Sequence, residues 1–186
     1  MEAFLETERL VLRQFTTADL ELLTELDSDP EVMRFINNGA PVDRAEVAET
    51  LDWWLGYYER FEGYGFWAAI EKAGGGFVGW FHLRPAEGVD SDQPELGYRF
   101  HRWAWGRGLA TEGSRALVDK AFLELGATRV NAETMAVNSA SRKVMEKAGL
   151  RHVRTFESEW PTRIPGDEQG EVEYAITRSE WEADRG

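Results

Sequence analysis

The chain has 186 residues, of which 42% are hydrophobic and 30% charged, a length and composition that imply one soluble globular domain spanning residues 1–186. It has no cysteine, which excludes disulfide scaffolds, thiolate zinc sites and cysteine nucleophiles. With 34 acidic against 21 basic residues the net charge is -13, a field that repels nucleic acid and anionic membranes and suits a cationic small molecule or basic peptide.

The first residues, Met1 to Glu6, carry neither a basic leader nor a long apolar run, and no segment reaches the ~18 apolar residues of a spanning helix. These features read as a cytoplasmic protein with no membrane partner. Arg9 to Gln14 alternates, with Leu10 and Leu12 on one face, and predicts a first strand. Thr17 is placed to cap a helix through Asp27, with Leu20, Leu23 and Leu26 at helical spacing. Pro30 breaks it, a short helical turn reaches Phe35, and Asn37 to Pro41 is a loop. Asp43 and Glu46 have capping-box spacing and open an aromatic-rich helix to about Glu62. On it Trp53, Trp54, Tyr57 and Tyr58 either pack in the core or line an acceptor pocket.

Phe66–Glu71 and Phe77–Leu83 read as a hairpin about the Lys72 to Gly76 turn. A polar loop, Glu87 to Pro94, leads to a fourth strand, Glu95 to Phe100. A helix from about Gly108 to Leu125 carries the apolar stripe Ala110, Leu117, Val118, Ala121, Phe122 and Leu125. Arg129 to Thr134 is a fifth strand, and Ser139 to Ala148 a short helix with Ala140, Val144 and Ala148 on one face. The last two strands run about Val153 to Trp160 and Glu171 to Thr177.

Two stretches carry chemistry. Trp105-Gly106-Arg107-Gly108-Leu109-Ala110-Thr111 joins a strand to a helix. Its glycines let backbone approach a ligand, and a helix start offers unpaired N–H groups, which together suit a pyrophosphate. A plain tight turn is the simpler reading. A dinucleotide fold is a rival, with Gly106 and Gly108 imitating its glycines and Glu133 its ribose contact. Yet Thr111 replaces the third glycine, and the turn lies past the middle of the chain. In the second stretch, Asn138 and Ser141 stand three apart at a helix start. Asn138 is either the N-cap or a ligand contact.

Together the two stretches resemble the GNAT N-acetyltransferases, in particular the branch of the ribosomal-protein alanine N-acetyltransferases. The signature [Gln/Arg]-x-x-Gly-x-[Gly/Ala] is met from Trp105 to Ala110 except at Trp105, where that branch itself uses tryptophan. The second signature, Asn-x-x-Ser then Glu-Lys-x-Gly-[Phe/Leu], is met by Asn138, Ser141, Glu146, Lys147, Gly149 and Leu150. The resemblance implies an α/β (α+β) domain whose mixed, mostly antiparallel seven-stranded sheet is flanked by helices, with a splay between the fourth and fifth strands. It implies an enzyme that moves an acetyl group from acetyl-CoA to a primary amine, either a protein N-terminus or a small cationic amine, without a metal. Arg107, Gly108, Leu109, Ala110 and Thr111 would hold the cofactor's pyrophosphate, Phe100 and His101 would run beside its pantetheine arm, and Asn138 and Ser141 would bind that arm.

Amine acetylation needs a neutral amine, whereas a lysine-like ammonium has a pKa near ~10.4, so a base is required. Glu133, five residues before Asn138, and Glu95 on the fourth strand are the candidates, with His82 behind them. Many GNAT enzymes place a tyrosine seven residues after the motif asparagine to protonate the thiolate; here that position is Met145. Ser141 is the replacement, ahead of Tyr98 and Tyr174. The missing tyrosine also admits a catalytically weak acyl-CoA-binding sensor. Glu157, Glu159, Asp167, Glu168, Glu171 and Glu173 form either an acidic rim for a cationic acceptor or a solvated hairpin. The acceptor's identity stays open, and a homodimer is compatible with this reading.

Overall fold

Leucine alternation and helical spacing recur in the computed structural model, which describes residues 3–85 and 92–186. Most of the expected Glu87 to Pro94 loop lies outside the described residues. The chain forms two compact units, Met1–His82 with Tyr98–Leu109, and Leu83–Gly97 with Ala110–Gly186. Strands β1 (Leu5–Glu6), β2 (Leu10–Gln14), β3 (Gly65–Glu71) and β4 (Phe77–Pro85) come first, followed by β5 (Pro94–Phe100), β6 (Arg129–Met135), β7 (Arg151–Phe156) and β8 (Glu171–Thr177). The sheet is mixed and mostly antiparallel: β5 pairs with β6 in parallel, and β1–β2, β2–β3, β6–β8 and β7–β8 are antiparallel.

In the first unit the strands follow the order β1-β2-β3-β4. Leu10 and Leu12 are fully buried, as the alternation requires. The eighth strand, absent from the sequence reading, is β1; two residues are too few to display a period, and it exists through pairing of Leu5 with Leu12 and Glu6 with Val11. Three helices follow β2: α1 (Leu20–Ser28), α2 (Arg34–Asn37) and α3 (Arg44–Arg60). A 3-10 turn at Thr17–Asp19 precedes α1, so Thr16, not Thr17, opens the helical segment. At the head of α3 the Asp43 carboxylate accepts from Ala45 N–H at 2.8 Å, where a bond with Glu46 was expected. Trp54 stacks on Phe66 at 4.3 Å and meets Trp80 edge-on at 5.1 Å, which puts it in the core together with buried Tyr57. The Tyr58 hydroxyl accepts from Phe15 N–H and donates to the Phe66 carbonyl, and burial pushes it up to about 12.

Behind the start of α1 sits a buried ion pair. Arg13 donates to both carboxylate oxygens of Asp19, at 2.8 and 2.7 Å, and Thr16 N–H adds a third bond at 2.8 Å. Burial alone would raise the Asp19 carboxyl; Arg13 and Thr16 outweigh it and hold the group below its ordinary value. A depressed carboxylate stabilises the fold above the unfolded value near ~3.9 and loses that contribution as pH falls through the lower folded value. Asp19→Asn is therefore expected to cost about 2–3 kcal/mol near neutral pH, with the deficit shrinking below about pH 4. Denaturant melts across pH check both statements.

In the second unit the order is β5-β6-β8-β7, with helices α4 (Leu109–Leu123), α5 (Ser139–Lys147) and α6 (Arg178–Ala183). The registered pairing of β5 with β6 sets Glu95 opposite Asn131. The α4 stripe is as expected at Leu117, Val118, Ala121 and Phe122, all buried. On α5 the buried residue is Met145; of the expected face Ala140 is exposed and Val144 half-buried, while Ala148, the cap residue that follows, is buried, so the apolar face is turned from Ala140 toward Met145. Strand β7 starts two residues earlier and ends at Phe156, four residues short of expectation, because its register is set by β8, where Phe156 pairs with Glu171. Helix α6 was overlooked, although Thr177 and Glu180 form a capping box that the sequence displays. Among the described residues no helix is long and apolar enough to cross a membrane.

Candidate active site

The glycine turn belongs to the first unit up to Leu109. Gly106 and Gly108 have φ of 71° and 78°, values that side-chain-bearing residues rarely adopt. A side chain at Gly106 would meet no atom within 4 Å, so the turn's outer surface is open. Helix α4 begins at Leu109, and the N–H groups of a helix's first turn have no acceptor within the helix. Leu109 is buried and offers only backbone. Ala110 and Thr111 continue that helix. The Arg107 guanidinium donates to both Glu71 oxygens at 3.2 and 2.5 Å. At the end of β5, the His101 N–H is committed to the Val78 carbonyl at 3.0 Å. The Phe100 carbonyl accepts the Trp105 indole N–H at 2.9 Å. The His101 ring stacks on Trp103 and is held below its ordinary pKa by burial, against the pull of Glu25, Asp29 and Asp27.

The second unit holds the other candidates. Asn138 is the N-cap of α5: its Oδ1 accepts from Ser141 N–H and its Nδ2 donates to Thr134 Oγ1, both at 3.2 Å. A primary amide has two donors and two acceptor lone pairs, so capping leaves it capacity for a ligand. Glu133 lies on β6 directly opposite Glu173 on β8. Glu173 is buried between Arg129 and Arg154, with N–O distances of 2.5 Å to each, and burial's upward push on its carboxyl is outweighed by these two cations. Glu133 is exposed, with its carboxyl raised above the ordinary value. Partial desolvation is the main cause, then repulsion from Glu95, Glu171 and Glu173, with Arg154 opposing. Glu95 pairs with Arg84 at 3.7 Å.

Residues 9–151 match the family model of the acetyltransferase (GNAT) domain. The chain belongs to that family. It is 40% identical, over 95% of its length and 77% of the relative's, to the FsC-acetyl coenzyme A-N(2)-transacetylase of Aspergillus fumigatus. A GNAT-family acetyltransferase from Bacillus anthracis shares the fold with a TM-score of 0.75 at 25% identity, covering 94% of this chain and 98% of the other. A ribosomal L7/L12 alpha-N-protein acetyltransferase solved with coenzyme A shares it with a TM-score of 0.76 at 15% identity, covering 95% and 98%.

In this acetyltransferase Met145, at the position of the usual tyrosine, is core, 2% exposed. Tyr174 is buried and its hydroxyl is engaged, donating to Glu146 at 3.0 Å and accepting from Arg142 at 3.1 Å. His82 is buried against Phe66 and Trp80. The acidic set is not one rim: Glu173 is an internal ion-pair centre, Asp167 accepts from Arg163 and from Ile164 N–H, and Glu157, Glu159 and Glu168 are exposed. Sequence reasoning overlooked Arg129 and Arg154, because two arginines on separate strands show no pattern until β6, β8 and β7 pair. It also overlooked Arg9 and Glu71, which reach the turn. Among the described residues no group of three or more His, Asp or Glu side chains is placed to hold a metal.

Proposed function

We propose that this acetyltransferase moves an acetyl group from acetyl-CoA to a primary amine, a peptide N-terminus or a small cationic amine. The observation that carries the cofactor reading is the open turn with Gly106 and Gly108 at positive φ leading into the N-terminus of α4. A helix of that length with a backbone-only approach fits a diphosphate. The name of the Aspergillus fumigatus relative, which designates acetyl coenzyme A as donor and a nitrogen as acceptor, supports the same reading. The net charge of -13 favours a cationic acceptor.

Arg107, Gly108, Leu109, Ala110 and Thr111 would hold the diphosphate through backbone N–H groups. Phe100 would lie beside the pantetheine arm with its carbonyl's second lone pair. The His101 N–H is already used, so His101 contributes position there. Asn138 and Ser141 would contact the arm from the first turn of α5. Bound acetyl-CoA supplies the thioester carbonyl and the thiolate leaving group. Glu133 takes the proton from the ammonium of the acceptor; its raised pKa makes it a better base than an ordinary carboxylate. Glu95 is second, because Arg84 already engages it. The Ser141 hydroxyl orients the sulfur or a water beside it.

Calorimetry with CoA and with NAD tests the cofactor, and binding of NAD without CoA removes this reading. Gly108→Val is expected to weaken CoA roughly tenfold, because a β-branched residue at φ 78° costs ~1–2 kcal/mol, so the free turn relaxes to another shape and must recover that cost on binding. Its side chain would meet only Arg9 Nη2 at 3.5 Å, an ordinary contact, so backbone conformation is the cause. Unchanged affinity in that variant takes the turn out of the cofactor site. A mass-spectrometric screen of amines and peptides for acetylated product then identifies the acceptor.

A further inference from the structure

We propose that Arg9 is a positioning residue for the cofactor turn, fixing the direction in which the Gly108 N–H is presented. The proposal rests on the reading that this turn takes the diphosphate. Arg9 Nη1 donates to the Arg107 carbonyl at 2.8 Å across 98 residues of sequence. Its Nη2 is the atom that a side chain at Gly108 would meet, at 3.5 Å. The guanidinium thus lies against the peptide that joins Arg107 to Gly108. In a trans peptide the C=O and N–H point in opposite directions. Holding the Arg107 carbonyl therefore aims the Gly108 N–H the other way.

A glycine turn needs such a hold. Gly106 and Gly108 flank Arg107, and glycine loses more conformational freedom on ordering than any other residue, so this peptide has little intrinsic preference for one orientation. Arg9 is itself anchored. Its carbonyl accepts from Lys72 N–H at 2.8 Å, and its neighbour Leu10 pairs with Glu71 in the β2–β3 ladder. Glu71 in turn receives the Arg107 guanidinium at 2.5 Å. Arg107 is held by its carbonyl from Arg9 and by its side chain from Glu71, two adjacent places on one hairpin ladder. All these groups belong to the first unit.

The test measures CoA affinity by calorimetry and pantetheine affinity by competition, since pantetheine lacks the diphosphate. Arg9→Met keeps an unbranched stem and removes the donors. It is expected to weaken CoA roughly tenfold and to leave pantetheine unchanged. Arg9→Lys, which keeps one cationic donor, is expected to fall between Met and wild type. If Arg9→Met does not fold, as judged by circular dichroism, Arg9→Lys decides by its ratio of CoA to pantetheine affinity. A ratio equal to wild type, or an equal loss for both ligands, overturns the proposal. Failure of the wild-type protein to bind CoA would instead overturn the cofactor reading itself.

Discussion

Replacing Glu133 with glutamine is expected to lower turnover about 10²–10⁴-fold near neutral pH while leaving CoA affinity intact, the range of a lost general base. Glutamine cannot accept the amine's proton, so part of the rate should return as pH rises and the acceptor deprotonates in solution. The wild-type profile carries a sign that tests the same assignment. The Glu133 carboxyl is raised by partial desolvation first and then by Glu95, Glu171 and Glu173. The acidic limb of kcat/KM should therefore sit above the ordinary carboxylate value. Arg154 opposes the shift, so Arg154→Gln removes a cation that favours the ionised form and should move the limb to higher pH. Glu95→Gln removes a like charge and should move it to lower pH. Under the proposed role of Ser141 at the leaving group, the deficit of Ser141→Ala should persist at high pH. Near-normal turnover of Glu133→Gln at neutral pH transfers the role to Glu95. Near-normal turnover of both variants leaves the acceptor to lose its proton through water.

Gly79→Ala is expected to cost about 4 kcal/mol or more, a fall in Tm of roughly 8–16 °C, through backbone overlap. Gly79 has φ of 147°, and a side chain there would lie 2.2 Å from the Arg99 carbonyl oxygen and 2.7 Å from the Phe100 Cα. Both are main-chain atoms of β5, so no rotamer change relieves the contact. Arg99 is further fixed by its 2.7 Å bond to Asp27 and its stacking over Trp80. Relief would require β5 to move away from β4, at the strand end where Phe100 and His101 sit. Scanning calorimetry checks this; a change under about 2 °C would mean the strands tolerate separation.

The elements with long periods were legible in the sequence: Leu10 and Leu12 on β2, the Leu117 to Phe122 stripe, and the glycine hairpin between β3 and β4. The turn from Gly106 to Gly108 and the Asn138 cap were legible because each is a local motif with a fixed spacing. What was not legible depends on pairing between distant strands. Strand β1 consists of two residues recruited by β2. The face of α5 was misread because alanine and valine gave the apolar pattern while Met145, treated as a missing acid, supplied the core contact. Glu173 looked like one more surface carboxylate in an acidic hairpin; only the register that sets it beside Arg129 and Arg154 makes it an internal counter-ion. Arg9 read as the strand face opposite Leu10 and Leu12, and nothing within its own segment announces a partner at Arg107.

The distribution of indole rings gives the molecule an uneven optical character. Trp53, Trp54, Trp67, Trp80, Trp103 and Trp105 lie in the first unit, and Trp160 and Trp181 in the second. Trp54 and Trp67 stack face to face on Phe66 and Phe4, whereas Trp103 and Trp105 are 56% and 48% exposed beside the glycine turn. Intrinsic emission therefore weights the half of the chain that carries the turn, and occupancy of that turn should register as a change in Trp103 and Trp105. The half that carries Glu133 is comparatively dark. A melting curve followed by emission alone will therefore weight the first unit over the second.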